Sequence, residues 1–174
     1  MVDKGADAPV KGVGRLGWIA YGLAATVIAL DQAVKHWILY VYELPSRLSV
    51  EVAGPFHLTF VMNRGVSFGL FRADQDVVRW VLTGFSFAVA AVLVVWARRV
   101  GRPLIAGALG LIIGGAVGNA IDRIRFGAVV DFLDFSQAMF PWVFNVADSA
   151  ITVGVVLLLL DSLRGDARPD AAAP

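Results

Sequence analysis

Residues 114–149 read GGAVGNAIDRIRFGAVVDFLDFSQAMFPWVFNVADS. The stretch opens as a glycine-rich apolar run, breaks at GNAIDR, passes through GAVVDF and closes on FNVADS. Three of its aspartates, Asp122, Asp131 and Asp148, stand in some of the most apolar sequence of the chain. A carboxylate beside hydrocarbon is costly unless it is partnered or used. Three of them, with Asn119, Arg123 and Asn145 alongside, mark a candidate site. The rest of the chain reads as the means of holding that site at a membrane surface.

Composition supports this. Of 174 residues, 58% are hydrophobic and 17% charged, and the mean hydropathy is +0.72. Soluble domains carry about 25% charged residues, so the chain reads as an integral membrane protein. It has no cysteine, which excludes disulfides, a cysteine nucleophile and thiolate metal sites. A net charge of +1 with scattered arginines argues against a nucleic-acid partner. The first apolar stretch is too long for the core of a cleaved signal and carries Asp31 and Lys35, so it reads as retained.

A spanning helix needs about 20 apolar residues, and four segments qualify, at about 16–40, 77–97, 103–122 and 147–163. Asp31 and Lys35 fall in the outer third of the first, four apart and so on one face. Trp80 and Trp96 bracket the second as an aromatic belt would. Gly107, Gly110, Gly114, Gly115 and Gly118 in the third let helices approach closely in lipid. The fourth is free of charge only from Ser149 to Leu160 and spans with Asp148 at its outer end.

Two long loops remain, 41–76 and 123–146. In the first, residues 49–52 and 56–61 alternate partly at period two, as short strands do. Gly54-Pro55 is the turn between them, and Asn63-Arg64-Gly65 ends the second. Asp131 falls on the second loop. Residues 1–15 and 164–174 are polar and read as disordered cytoplasmic tails around a single membrane domain, 16–163. The fold expected is an all-α membrane bundle of four helices with a small extramembrane β-sheet on its outer face.

Arg98, Arg99 and Arg102 in the short second turn, with the basic N-terminal flank, place that side in the cytoplasm. Both termini are then inside and both long loops outside. Every polar cluster lands at the outer boundary: Asp31/Lys35, Asn63/Arg64, Asn119/Asp122/Arg123, Asp131 and Asn145/Asp148.

Two aspartates that share a proton can serve as general base and general acid on a water and a carbonyl, since close like charges cannot both ionise. Asp131 and Asp148 suit that role where water is at hand. Other protease chemistries lack their parts: there is no HExxH, no serine elbow, no GxGD pair, and His36 and His57 are the only histidines. Asp148 opens a helix, where the dipole favours a negative charge, which makes it the base and Asp131 the acid as a working hypothesis.

The sequence resembles the lipoprotein signal peptidases, the type II signal peptidases of bacteria. The matching blocks are Asp31-Gln32-Ala33-Val34-Lys35, Asn63-Arg64-Gly65-Val66-Ser67-Phe68, the run from Gly114 to Arg123, Val129-Val130-Asp131-Phe132, and Phe144-Asn145-Val146-Ala147-Asp148-Ser149. All five occur in the family's order, across about residues 16–163. Val66 is slightly bulkier than the family's usual residue. The resemblance implies an aspartyl endopeptidase of the bacterial inner membrane. It removes signal peptides from prolipoproteins just before a diacylglyceryl-modified cysteine, without metal or cofactor. Its catalytic pair corresponds to Asp131 and Asp148. Asp31, Lys35, Asn63, Gly65, Asn119, Asp122, Arg123 and Asn145 carry over as substrate-binding or supporting positions. Partners implied are the prolipoproteins and membrane lipid, with the enzyme a monomer.

Plainer readings stand beside these. Asp131 and Asp148 can be a loop charge and a helix cap. Asp122, at the end of the third helix, needs a cationic or donor partner, and Arg123 could hold either it or a substrate carbonyl. Asp31 and Lys35 can be an intrahelical ion pair. The glycines are for packing, and His36 and His57 read as interfacial and inert. A proton- or ion-coupled transporter subunit is the rival class, but it calls for polar residues through the full depth of the bundle. A structural assembly factor gives no reason for five polar blocks at one boundary.

Overall fold

The computed structural model describes residues 12–65, 75–138 and 140–165. The expected tails, and the Val66-Ser67-Phe68 part of the second block, lie largely or wholly outside these. Four helices are long and apolar enough to cross a bilayer: α1 (Arg15–His36), α3 (Gln75–Ala97), α4 (Pro103–Phe126) and α5 (Val146–Gly165). The short α2 (Leu44–Arg47) follows α1 after a wide π-turn, Trp37–Val41. The strands are β1 (Ser49–Ala53), β2 (Phe56–Asn63), β3 (Val129–Asp134) and β4 (Val143–Phe144).

Helix α4 is the axis of the bundle, packed by all three other spans and far more buried than they are. Its small residues make this possible. A methyl group on Gly110 would meet the Ala20 carbonyl at 2.7 Å, and one on Gly114 would meet Val27 at 2.6 Å. One on Gly115 would collide with the Ala147 carbonyl. Helix α1 answers with Gly17, Ala20, Ala24, Val27, Asp31 and Lys35 buried along one stripe, the spacing of a packed helix face. Gly107 has open space around its Cα, so the packing role expected of it is absent.

The four strands form one antiparallel sheet in the order β1-β2-β3-β4. The β1–β2 hairpin turns at Gly54-Pro55, as the sequence indicates. The loop expected over 123–146 is more ordered than its composition suggests. Helix α4 runs on to Phe126 and stops at Gly127, whose φ of 77° closes it while its N–H donates to the Arg123 carbonyl. Asp122 therefore lies a turn inside the helix, not at its end. Asp131 lies on a strand, not a loop. β3 is buried along nearly its whole length, so it lacks the polar alternation that betrays a strand. Val130 and Phe132 pack against Ile38 and Leu44, and Asp131 points to the opposite face.

Candidate active site

At the end of the bundle that carries the sheet, four elements, β2, β3, α4 and α5, converge on two carboxylates. β3 supplies Asp131 and the first turn of α5 supplies Asp148. Asn119 comes from α4. Asn145 caps α5 reciprocally: its Oδ1 accepts from the Asp148 N–H at 2.9 Å, and its own N–H donates to Asp148 Oδ2 at 3.3 Å. The same residue turns its amide to the other carboxylate, with Nδ2 donating to Asp131 Oδ1 at 2.7 Å. Asn119 Nδ2 donates to Asp148 Oδ1 at 2.7 Å. Asn63, diagonal to Asp131 across the β2–β3 pairing, donates to Asp131 Oδ2 at 3.0 Å.

Asp131 is buried and Asp148 only partly so. Burial and the negative charge of Asp148 push the Asp131 carboxyl up to about 6, against the donors of Asn63 and Asn145 and the more distant Lys35. Asp134, three residues further on the same strand, goes the other way: the Thr59 hydroxyl, with Ser136, holds it below the usual carboxylate range. Two carboxyls on one strand thus have opposite proton affinities, and only Asp131 is poised near neutrality.

A second polar cluster lies deeper. Lys35 Nζ sits 2.9 Å from Asp31 Oδ2 and 2.6 Å from Asp122 Oδ2, all three side chains being buried. The partner that Asp122 needs is therefore Lys35, and not the neighbouring Arg123. Arg123 instead donates to the Asn119 carbonyl at 3.4 Å and lines a cavity with Asn119. Asp31 and Lys35 do form the expected i,i+4 pair. Gly65 follows Asn63 with a φ of +80°, its N–H donating to Asn63 Oδ1 at 2.9 Å. His36 is exposed beside Tyr40, and His57 contacts Gln137 at 3.3 Å.

Two residues belong to this region that the sequence reading did not single out. Gln32 Nε2 donates to Asp122 Oδ1 at 2.8 Å, and its Oε1 accepts from Arg125 at 3.1 Å. Its only signal was its place between Asp31 and Lys35. Arg79, in the first turns of α3, donates to the Arg123 and Ile124 carbonyls at 2.6 and 2.7 Å, so it satisfies the C-terminus of α4. Among the described residues, no three His, Asp or Glu side chains converge as metal ligands.

Two apolar cavities lie in this part of the bundle, and one of them reaches a carboxylate, Asp148. One, of about 320 Å³, lies between α3, α4 and α5, lined by Leu82, Phe85, Ile112 and Ile151 and ending at Asn119 and Arg123. The other, of about 330 Å³, lies along α5 beneath Phe140, Trp142 and Phe144, and ends at Asp148. Two neighbouring carboxyls, one of them held near neutrality, can act as general acid and general base on a carbonyl and a water.

The sequence profile described as "Signal peptidase (SPase) II" matches residues 23–164. A lipoprotein signal peptidase of Caulobacter vibrioides is 54% identical over 159 residues, covering 91% of this chain and 94% of its own. One from a Methylobacterium species is 46% identical over 150 residues, covering 86% and 91%. Among solved structures, a bacterial membrane enzyme at 24% identity superposes with a TM-score of 0.75, over 94% of this chain and 98% of that one. A second, at 25% identity, gives 0.71 over 88% and 96%.

Proposed function

This chain belongs to the signal peptidase II family, and from that premise we propose that it is an aspartic endopeptidase with Asp131 and Asp148 as its catalytic pair. The observation that carries the reading is Asn145, a single residue that donates to both carboxylates, at 2.7 Å to Asp131 and 3.3 Å to Asp148. The pair shares one proton. Asp148, at the positive end of α5, takes a proton from the attacking water. Asp131, protonated, donates to the scissile carbonyl oxygen. The resulting diol collapses as a proton passes to the leaving nitrogen, so one water is consumed per bond cut.

The substrate is a prolipoprotein whose signal peptide is removed just before a diacylglyceryl-modified cysteine. Its apolar signal segment enters laterally between the spans, and the apolar cavity that ends at Asp148 offers room beside the pair. The sheet-bearing end faces outward, with both termini in the cytoplasm, consistent with Arg98, Arg99 and Arg102 at the opposite end. The bundle 16–163 acts as one domain and as a monomer. A transporter would need a polar path, whereas the core at the far end is Ala20, Ala24, Ala90, Ala106, Leu109 and Ile113.

The test is cleavage of a diacylglyceryl-modified prolipoprotein in detergent by wild type, Asp131→Asn and Asp148→Asn. Each variant is expected to stay folded and lose at least about 10³-fold in kcat. Near-normal cleavage by both would remove the pair and leave Asp122 as the next candidate.

A further inference from the structure

The buried cluster of Asp31, Lys35 and Asp122 is more elaborate than charge balance requires. One carboxylate would neutralise Lys35, and a second buried one is costly. Each carboxylate, however, has another partner. Asp31 Oδ1 accepts the Ala147 N–H at 3.0 Å, and Asp122 Oδ2 accepts the Val130 N–H at 3.1 Å. Ala147 and Val130 are the residues immediately before Asp148 and Asp131.

Neither amide has an alternative partner of its own kind. The Ala147 N–H is one of the donors that the first turn of any helix leaves free, and the Asn145 cap serves the next one. β2 flanks β3 here, with Met62 opposite Val130. On the other side, to which the Val130 N–H and C=O turn, β4 reaches only Leu133 and Asp134, so among the described residues no strand meets that N–H. Lys35 then joins the two carboxylates through their Oδ2 atoms. It also reaches Asn119 Oδ1 at 3.4 Å. This contact and the Asn145 Nδ2 donation to the same oxygen at 3.1 Å together hold the Asn119 amide with Nδ2 toward Asp148.

We propose that Asp31, Lys35 and Asp122 form a bracket that positions the two catalytic carboxylates relative to each other, by gripping the backbone just ahead of each. They are positioning residues and touch no substrate. The bracket depends on Gly118: a methyl group there would meet Asp31 Oδ2 at 2.8 Å and the Ala147 Cβ at 3.4 Å. Only a glycine lets the Asp31 carboxylate lie between α4 and α5.

The inference rests on the catalytic pair proposed above, and its test keeps the two apart. The full chain in detergent is assayed on the diacylglyceryl-modified prolipoprotein, with folding followed by helical circular dichroism and thermal unfolding. Asp31→Ala loses the acceptor for Ala147, whereas Asp31→Asn keeps an oxygen there. A displacement of reacting groups by about 1 Å costs on the order of 10²-fold. Asp31→Ala is therefore expected to lose about that much in kcat with KM little changed, and Asp31→Asn to recover several-fold of it.

Gly118→Ala decides the matter if Asp31→Ala does not fold. It removes no charge and no hydrogen-bonding group, and it is expected to lower kcat about tenfold or more at unchanged KM. Wild-type kcat in folded Gly118→Ala, equal kcat in folded Asp31→Asn and Asp31→Ala, or a loss confined to KM would each overturn the bracket. Any of these alongside inactive Asp131→Asn and Asp148→Asn overturns the bracket alone. Active Asp131→Asn and Asp148→Asn overturn the catalytic reading itself.

Discussion

Both ends of the bundle hold buried aspartates, and the two ends serve them very differently. At one end Asp161 of α5 meets Arg102, which opens α4 and is half exposed. That is one ion pair between two helices, with a partner that water also reaches. At the other end three buried side chains, Asp31, Lys35 and Asp122, are tied to two backbone amides and to Asn119. A single pair with a wet partner fastens helices and tolerates loss. A closed network with no water to replace a missing member does not. The fold thus concentrates its buried polar network at the end that carries the proposed pair, Asp131 and Asp148.

Chemically equal substitutions at the two ends should therefore give unequal results. Asp131→Asn or Asp148→Asn is expected to abolish cleavage by about 10³-fold or more with the fold intact. Asp161→Asn should leave cleavage near wild type and cost about 1 kcal/mol or less in thermal unfolding. A large activity loss from Asp161→Asn would break the contrast.

Glycines of α4 sharpen it on the packing side. Gly115→Ala collides with the Ala147 carbonyl, one residue before Asp148, and should lower both stability, by about 1–3 kcal/mol, and turnover. Gly107→Ala, nearer the other end and with open space around it, should be neutral or gain up to about 1 kcal/mol from helix propensity. Parallel unfolding and cleavage measurements on the two variants decide it.

The smallest effect concerns protonation. If Asp131 must carry the proton, kcat should fall as pH rises through about 6, where that proton is lost. Asn63 donates to the ionised form of Asp131 and pulls its proton affinity down. Asn63→Ala should thus move the alkaline limb of the pH–rate profile upward. A downward shift would assign that limb to another group.

Much of this was legible in residue order. The four spans follow from apolar runs, and the first hairpin from period-two alternation around Gly54-Pro55. The polar blocks marked the candidate site because carboxylates in apolar sequence demand a reason, and the structure brings those residues together. β3 was not legible, because a strand buried on both faces has no alternation to show, and β4 is only two residues long. Nor was the end of α4, since Arg123 and Arg125 resemble a loop's charges until Arg79 is seen satisfying the carbonyls there.

Burial of about 20 consecutive apolar residues is a local sum, and the sequence by itself therefore determined the helices, their glycine-lined contact face and which aspartates were candidates. Which cation serves Asp122 is not a local matter. Arg123 is its neighbour in the chain, yet Lys35 from α1 lies against it because Gly110, Gly114 and Gly118 let the two helices close up. The grip of Asp31 on Ala147 joins residues 116 positions apart. Only the tertiary structure could decide these pairings, because a buried charge takes the partner that packing brings within hydrogen-bond distance, whatever its place in the chain.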